Sequence, residues 1–461
     1  MIIKFKKKSI LNILISTLVF FIAWLIGNFY NVNTITLLIY VISLFLLYKN
    51  DKEFFLKNLY IIIINSLFIL GVYFCETDGL FLDEISKKTG YINCFNLALF
   101  SCHICLLFIL ILNNITYRNE EKEENEKMSF NSKYNILIKF ICIIVILIQI
   151  VTITNILIQL KGSIFRVDRF VINKQYLNDF TLKVKNNIIL ALPLFYFLKG
   201  KRKNMYIFLY IILYCSMMFL TGEKYGPYIK LFYLIIIFFP QFFNYLKKKT
   251  YLIVLFVCLI IITVFLQYKL LYGYSYNNLI TYLESRLCQQ GQVWWSIYDQ
   301  KENKSIEIGD FLYEIKSSYN NKLSTSLPYA GQWKMMYYAA NRNNFVTIRI
   351  KNLIPFTSTT LASIYYYFGF IGIFIIYPLF GILYSIIVKG VFSSYKKNIV
   401  TSILAIKLFI MFDYLYTASD LSSLISIKSI IFIIIFLLSI IFNKKRRYKI
   451  EKSWRINYIW T

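Results

Sequence analysis

Apolar residues in this chain gather in blocks rather than in amphipathic stripes. The blocks run over residues 10–30, 33–48, 59–75, 92–115, 136–160, 186–198, 206–221, 228–246, 250–271, 368–388, 399–417 and 424–442, and few charges interrupt them. Most approach twenty residues, the length an α-helix needs to cross the hydrocarbon core of a bilayer. Backbone polar groups find no water there, so only helices or closed barrels can span, and uninterrupted apolar runs lack the alternation of a barrel strand. The pattern predicts an all-α, polytopic integral membrane protein with about twelve transmembrane helices. The sixth block is short and contains Pro193.

Lysine and arginine clusters set the expected topology. They precede the first block (Lys4, Lys6, Lys7, Lys8) and follow the second (Lys49, Lys52, Lys57), the fourth (Arg118, Lys122, Lys127, Lys133), the sixth (Lys199, Lys201, Arg202, Lys203), the eighth (Lys247, Lys248, Lys249), the tenth (Lys389, Lys396, Lys397) and the last (Lys444, Lys445, Arg446, Arg447). With twelve spans every cluster falls on one side, which the positive-inside rule makes cytoplasmic, so both termini are expected inside. The external segments are then 76–91, 161–185, a TGEKYGP turn at 221–227, a large loop over about 272–367, and a short turn at Ser419 and Asp420. Three regions follow: residues 1–271 with spans one to nine, the external loop 272–367, and residues 368–461 with the last three spans and a basic tail. The large loop exceeds any ordinary connector. Its Trp294, Trp295, Trp333 and many tyrosines argue against disorder, so it is expected to hold short helices that cap the membrane body. The charged run RNEEKEENEKM at 118–128 reads as a solvated cytoplasmic linker. MIIKFKKK before the first block resembles a signal peptide, but the apolar run is too long and lacks a small-residue cleavage site, so it is expected to stay as a span.

Composition sharpens this picture in two places. The chain is 58% hydrophobic and 16% charged, away from soluble proteins with about a quarter charged residues. Its net charge of +28 invites nucleic acid as a partner, yet the basic residues flank apolar blocks instead of forming one patch, so no nucleic-acid binding is expected. Cys102, Cys105, Cys142, Cys215 and Cys258 lie inside apolar blocks, where small apolar packing is their use. Cys75, Cys94 and Cys288 leave external exposure and a disulfide open. The CHIC segment at Cys102–Cys105 holds the single histidine, His103, but a zinc site needs four ligands and no second pair exists. No metal or cofactor is expected, and Gly-rich phosphate loops, HExxH and GxSxG are absent from the sequence.

Three segments carry candidate chemistry. GSIFRVDRF at 162–170 sets Arg166, Asp168 and Arg169 outside the fifth span, either as a diphosphate site suited to guanidinium forks or as an internal ion pair and surface anchor. TGEKYGPYIKL at 221–231 places Glu223 and Lys224 in a Gly-bounded turn near membrane depth, where charges are costly and often functional; a plain hairpin turn is the alternative. FTSTTLASIYYYFGFIGIFIIYPLFGIL at 356–383 runs from a Ser/Thr stretch through three tyrosines into a span with Gly369, Gly372 and Gly381. Such glycines permit a helix break or close approach. The tyrosines suit either an interfacial belt or stacking on sugar faces.

SIYYYFGFIGIFIIYPLFGIL at 363–383 and TGEKYG at 221–226, on a chain of many spans with one long external loop in its second half, resemble the O-antigen and capsular repeat-unit polymerases (Wzy-type), relatives of the O-antigen ligases. Lys224 stands where arginine is common in that family's turn, and the long loop has no histidine, so the ligases' loop histidine has no counterpart. The resemblance implies a metal-independent glycosyltransferase that joins undecaprenyl-diphosphate-linked oligosaccharides at the outer face of the bacterial cytoplasmic membrane, using no cofactor. The nascent chain is the donor, a hydroxyl of the incoming unit attacks its anomeric carbon with inversion, and the lipid diphosphate leaves. Membrane lipid and these lipid-linked units are the implied partners, with a chain-length regulator and a flippase as further protein partners it allows. On this expectation Arg166, Arg169, Lys224, Arg286, Arg342 and Arg349 hold diphosphate, Tyr365 and Tyr366 meet sugar, Glu223 activates the hydroxyl, and Asp168 shares that task or orients an arginine. An O-antigen ligase-like transferase and a lipid-linked oligosaccharide flippase are the alternatives. The missing histidine weighs against the first and the long loop against the second.

Overall fold

The computed structural model describes residues 7–77, 79–116, 132–160, 172–249, 251–272, 276–300, 307–319, 332–340, 359–394 and 398–440. Among the described residues, regular structure is helical except for one antiparallel hairpin, Phe81–Leu82 against Lys87–Lys88, with Phe81 opposite Lys88. Eight described helices are long and apolar enough to cross a membrane: Lys8–Ile26, Asn33–Asn50, Leu59–Thr77, Cys94–Asn113, Tyr134–Leu160, Lys203–Leu220, Thr360–Ser394 and Ile399–Ala418. The chain is thus an all-α polytopic membrane protein.

The remaining apolar blocks take other forms, for local reasons. The block at 228–246 is bent by 102° between Tyr225–Phe238 and Pro240–Lys248. Phe239 precedes a proline and sits at φ −118°, ψ 87°, outside the helical region, as the proline ring requires. Pro240 then opens the second helix at a position where its missing N–H costs nothing. The block at 186–198 breaks into a 3₁₀ turn, Ile188–Ala191, and a six-residue helix, Leu192–Phe197, too short to span. Tyr251–Tyr272 is helical over 22 residues, and Ile427–Ile440 is a shorter apolar helix. The tenth block starts earlier than its hydropathy indicates, at Thr360, with a non-helical break at Gly369.

The chain divides into two compact units. The first comprises Met1–Glu124, Ile280–Lys389 and Leu408–Ile434. In it Lys7–Ile26, Asn33–Asn50 and Cys94–Thr116 pack around His103, whose Nε2 lies 2.9 Å from Ser43 Oγ and whose ring meets Phe20 edge-on at 4.7 Å. The Glu76 carboxylate accepts from Asn33 Nδ2 at 2.6 Å and from the Cys94 backbone N–H at 2.5 Å. A carboxylate here satisfies otherwise unpaired N–H groups at a helix N-terminus and complements its dipole.

The interval 272–367 holds three complete described helices, Tyr276–Asp299, Ile308–Tyr319 and Gln332–Ala339, and the start of a fourth at Thr360. The first is packed into the unit's core. It crosses Leu59–Thr77 with backbones in contact: a Cβ added at Gly71 would sit 2.4 Å from the Leu287 carbonyl oxygen, and one at Gly291 would sit 2.4 Å from the Val72 nitrogen. That approach lets Trp294 Nε1 donate to the Cys94 carbonyl at 3.2 Å and Trp295 Nε1 to the Gly90 carbonyl at 2.7 Å. Each indole buries on the order of 200 Å². Cys75, Cys94 and Cys288 are free, fully buried thiols in this packing. The exposure left open for them by the sequence is not realised, because they lie buried where the 276–299 helix packs against its neighbours, and the three thiols are not joined.

The second unit comprises Asn125–Leu279, Gly390–Lys407 and Ile435–Thr461. Ser132–Leu160 lies along Lys203–Leu220, with Gln149 Nε2 donating to the Tyr210 carbonyl at 3.4 Å. Tyr210 in turn donates to the Ile188 carbonyl at 3.0 Å, which fastens the broken sixth block. Asn178 caps Asp179–Asn187 by accepting the Thr181 N–H at 2.8 Å.

Candidate functional site

In the first unit, three segments bring opposite charges and a phenol together. The Ile308–Tyr319 helix starts after Glu307, whose carbonyl accepts the Asp310 N–H at 3.0 Å. Asp310 lies in the first turn, where the helix dipole favours an anion. Its Oδ2 accepts the Tyr366 hydroxyl at 2.7 Å and lies 3.1 Å from Lys334 Nζ. Lys334 also reaches Glu307 Oε2 at 3.3 Å. Burial works to lower the Lys334 pKa, but the hydrogen bonds and charges of Asp310 and Glu307 outweigh it and hold the ammonium above its ordinary value. Two carboxylates thus share one lysine among the described residues. Asp310 is nearly buried, with its side chain 11% exposed, while Lys334 is 41% exposed, so the cluster has a closed end and an open one.

A cavity of about 310 Å³ lies against the same helices, near the lower end of small-molecule sites. Its wall includes Phe311, Thr360, Ser363, Tyr367, Phe368 and Ser419. Phe311 and Tyr367 directly follow Asp310 and Tyr366 in sequence. Thr360 and Ser363 spend their hydroxyls on the Leu415 carbonyl at 2.7 Å and on Met335 Sδ at 3.3 Å, which leaves the wall largely apolar.

In the second unit, the TGEKYGP turn follows a Schellman pattern. Gly222, at φ +70°, sits just past the Lys203–Leu220 helix. Its N–H donates to the Phe219 carbonyl and the Glu223 N–H to the Met218 carbonyl, both at 3.0 Å. A left-handed glycine is what this cap requires. The turn delivers Glu223 Oε1 to Lys185 Nζ at 2.6 Å, and Lys185 also donates to Asn173 Oδ1 at 2.9 Å. The Lys185 side chain is 2% exposed and Glu223 16%, so this is a buried pair of one acid and one base.

The residues singled out from sequence are distributed as follows. Glu223 and Lys224 belong to the second unit; Arg286, Tyr365 and Tyr366 belong to the first. Arg166, Asp168, Arg169, Arg342 and Arg349 lie outside the described residues, as does the 118–128 run. Arg286 stays local to its helix, donating to Gln289 Oε1 at 2.6 Å and lying 4.8 Å above the Tyr282 ring. Tyr365 is buried among Trp294, Tyr298 and Phe370, stacked on Tyr298 at 5.9 Å. Tyr366 commits its hydroxyl to the Asp310 carboxylate.

Sequence reasoning passed over Lys185, Asp310, Lys334 and Asp413. Lys185, Asp310 and Lys334 carry no local motif. Asp413 did carry a signal: it is an acidic residue within the apolar helix Ile399–Ala418, and it is fully buried, accepting the Tyr60 hydroxyl.

Residues 329–433, under half of the chain, match a family described as a family of unknown function (DUF6418). That stretch contains Lys334, Tyr366, Asp413 and most of the cavity wall. No curated protein and no solved structure matches the chain.

Proposed function

We propose that this chain polymerises undecaprenyl-diphosphate-linked oligosaccharide repeat units at the outer face of a bacterial cytoplasmic membrane. In this reading it has twelve spans, both termini inside, and the 272–367 interval outside. Beyond the eight long helices, the bent pair at 225–248, the helix at 251–272, the helix at 427–440 and the broken block at 186–198, which crosses only together with the helix Asp179–Asn187 before it, supply four further spans. One observation carries the reading. The SIYYYFG segment, on which the family resemblance rests, puts Tyr366 against an acid of the long interval, beside a lysine and a cavity.

Glycosyl transfer from a diphosphate needs such a set. A carboxylate receives the hydroxyl proton and cations neutralise the departing diphosphate. The candidate diphosphate contacts fall into two separate sets, Arg286, Arg342 and Arg349 in the first unit and Arg166, Arg169 and Lys224, with Asp168 orienting an arginine, in the second. Glu223, already bound to Lys185, holds the turn that presents Lys224. The lipid reaches the site sideways from the bilayer.

The experiment is deletion of the gene in its own bacterium, followed by electrophoresis of surface polysaccharide and extraction of lipid-linked intermediates. The expected result is loss of the polymer ladder, accumulation of single lipid-linked units on the outer face, and recovery on complementation. An unchanged ladder, or single units trapped on the inner face as a flippase defect would give, overturns the proposal.

A further inference from the structure

We infer that Asp310 is the group that takes the proton from the acceptor hydroxyl, with Tyr366 as its positioning residue and Lys334 as the cation at the open end of the site. This rests on the polymerase reading, names Asp310 and Lys334, which no motif assigns, and gives Tyr366 a different role.

Charge balance separates Asp310 from the other acid of interest. Glu223 is held in a short ion pair with a buried lysine, Lys185. Glu307 and Asp310 share Lys334, so one carboxylate charge is in excess among the described residues. An acid in excess retains capacity to accept a proton, whereas one neutralised by a buried ammonium would leave that ammonium uncompensated once protonated.

Geometry supports the same choice. Tyr366 fixes one Asp310 oxygen at 2.7 Å, and a carboxylate has further lone pairs to offer a hydroxyl. Lys334, the more exposed partner, sits where a ligand arriving from solvent would meet it first. The neighbouring cavity offers apolar surface to sugar C–H groups, with the Phe311, Tyr367 and Phe368 rings in its wall.

The step balances within these groups. The acceptor oxygen forms the new bond to the anomeric carbon of the donor. The bond from that carbon to the diphosphate oxygen breaks, and its electron pair leaves on the diphosphate. The acceptor's proton passes to the Asp310 carboxylate and from there to water.

The test uses the purified full-length protein with the lipid-linked oligosaccharide pool extracted from the deletion strain, reading polymer length and initial rate. Asp310→Asn keeps the shape and can still accept from Tyr366. It should lower kcat by about 10²–10⁴-fold, the usual contribution of a positioned general base, with little change in KM. Asp310→Glu, which restores a carboxylate, should recover at least about a tenth of the lost rate. Lys334→Gln should act mainly on KM. A normal rate from Asp310→Asn overturns the assignment while leaving polymerisation by the wild type intact. Equal loss in the Asn and Glu variants, with both failing to elute as the wild type does, also overturns it, since Asp310 would then be a packing residue. A wild type that never joins two units overturns the polymerase reading itself.

Discussion

Two lysine–carboxylate clusters in this molecule use the same residue types to different ends. At the 221–227 turn, Lys185 and Glu223 meet at 2.6 Å, largely shielded from water. In the first unit, Lys334 is shared by two acids at 3.1–3.3 Å and remains 41% exposed, with a cavity close by. Closure suits a strut. Excess charge, access and space suit chemistry. The contrast shows that an ionisable residue near a membrane span is informative only once its partners and exposure are known.

The largest expected effect comes from removing the buried lysine. Lys185→Met leaves Glu223 without its partner and should destabilise the protein by about 3–5 kcal/mol. Thermal unfolding in detergent, followed by intrinsic fluorescence, gives the measurement. The matched change Lys334→Met should cost less, because that lysine is 41% exposed and the Asp310 carboxylate keeps the Tyr366 hydroxyl. Equal losses from the two would erase the distinction drawn between the clusters.

Tyr366→Phe comes next. It deletes a hydroxyl that donates to the Asp310 carboxylate, a charge-assisted bond worth about 1.5–3 kcal/mol. The same unfolding curves report it, and a variant as stable as the wild type would show that Asp310 does not depend on Tyr366. Gly291→Ala tests the platform beneath the site. A methyl there meets the Val72 backbone at 2.4 Å, so the two helices must separate. Overpacking of this kind costs about 1–3 kcal/mol. The expected signature is a lower unfolding midpoint and new reactivity of Cys75 or Cys288 toward a thiol reagent, since both lie in that crossing.

Sequence made the first cluster half legible and the second legible only at Tyr366. The turn announces itself locally: Gly222 stands just past an apolar run, and Glu223 follows it. Its partner Lys185 is 38 residues away and gives no sign. In the other cluster Asp310 meets Lys334 across 24 residues and Tyr366 across 56, so only tertiary packing unites them. The membrane-crossing character was legible because hydropathy acts residue by residue over a fixed length. Where a span bends or ends was less so, because a proline at 240 and a break at Gly369 redirect helices whose apolar character continues unchanged. The burial of the 276–299 helix was hidden for a related reason. Its contact with Leu59–Thr77 depends on two glycines, Gly71 and Gly291, that are distant in sequence and unremarkable singly.

The most direct measurement is polymer length in the deletion strain carrying Asp310→Asn or Glu223→Gln at matched protein levels. The account predicts single repeat units from Asp310→Asn and a weakened but continuing ladder from Glu223→Gln, which loosens the turn without removing the proton acceptor. A full ladder from Asp310→Asn with single units from Glu223→Gln would reverse the roles assigned to the two clusters.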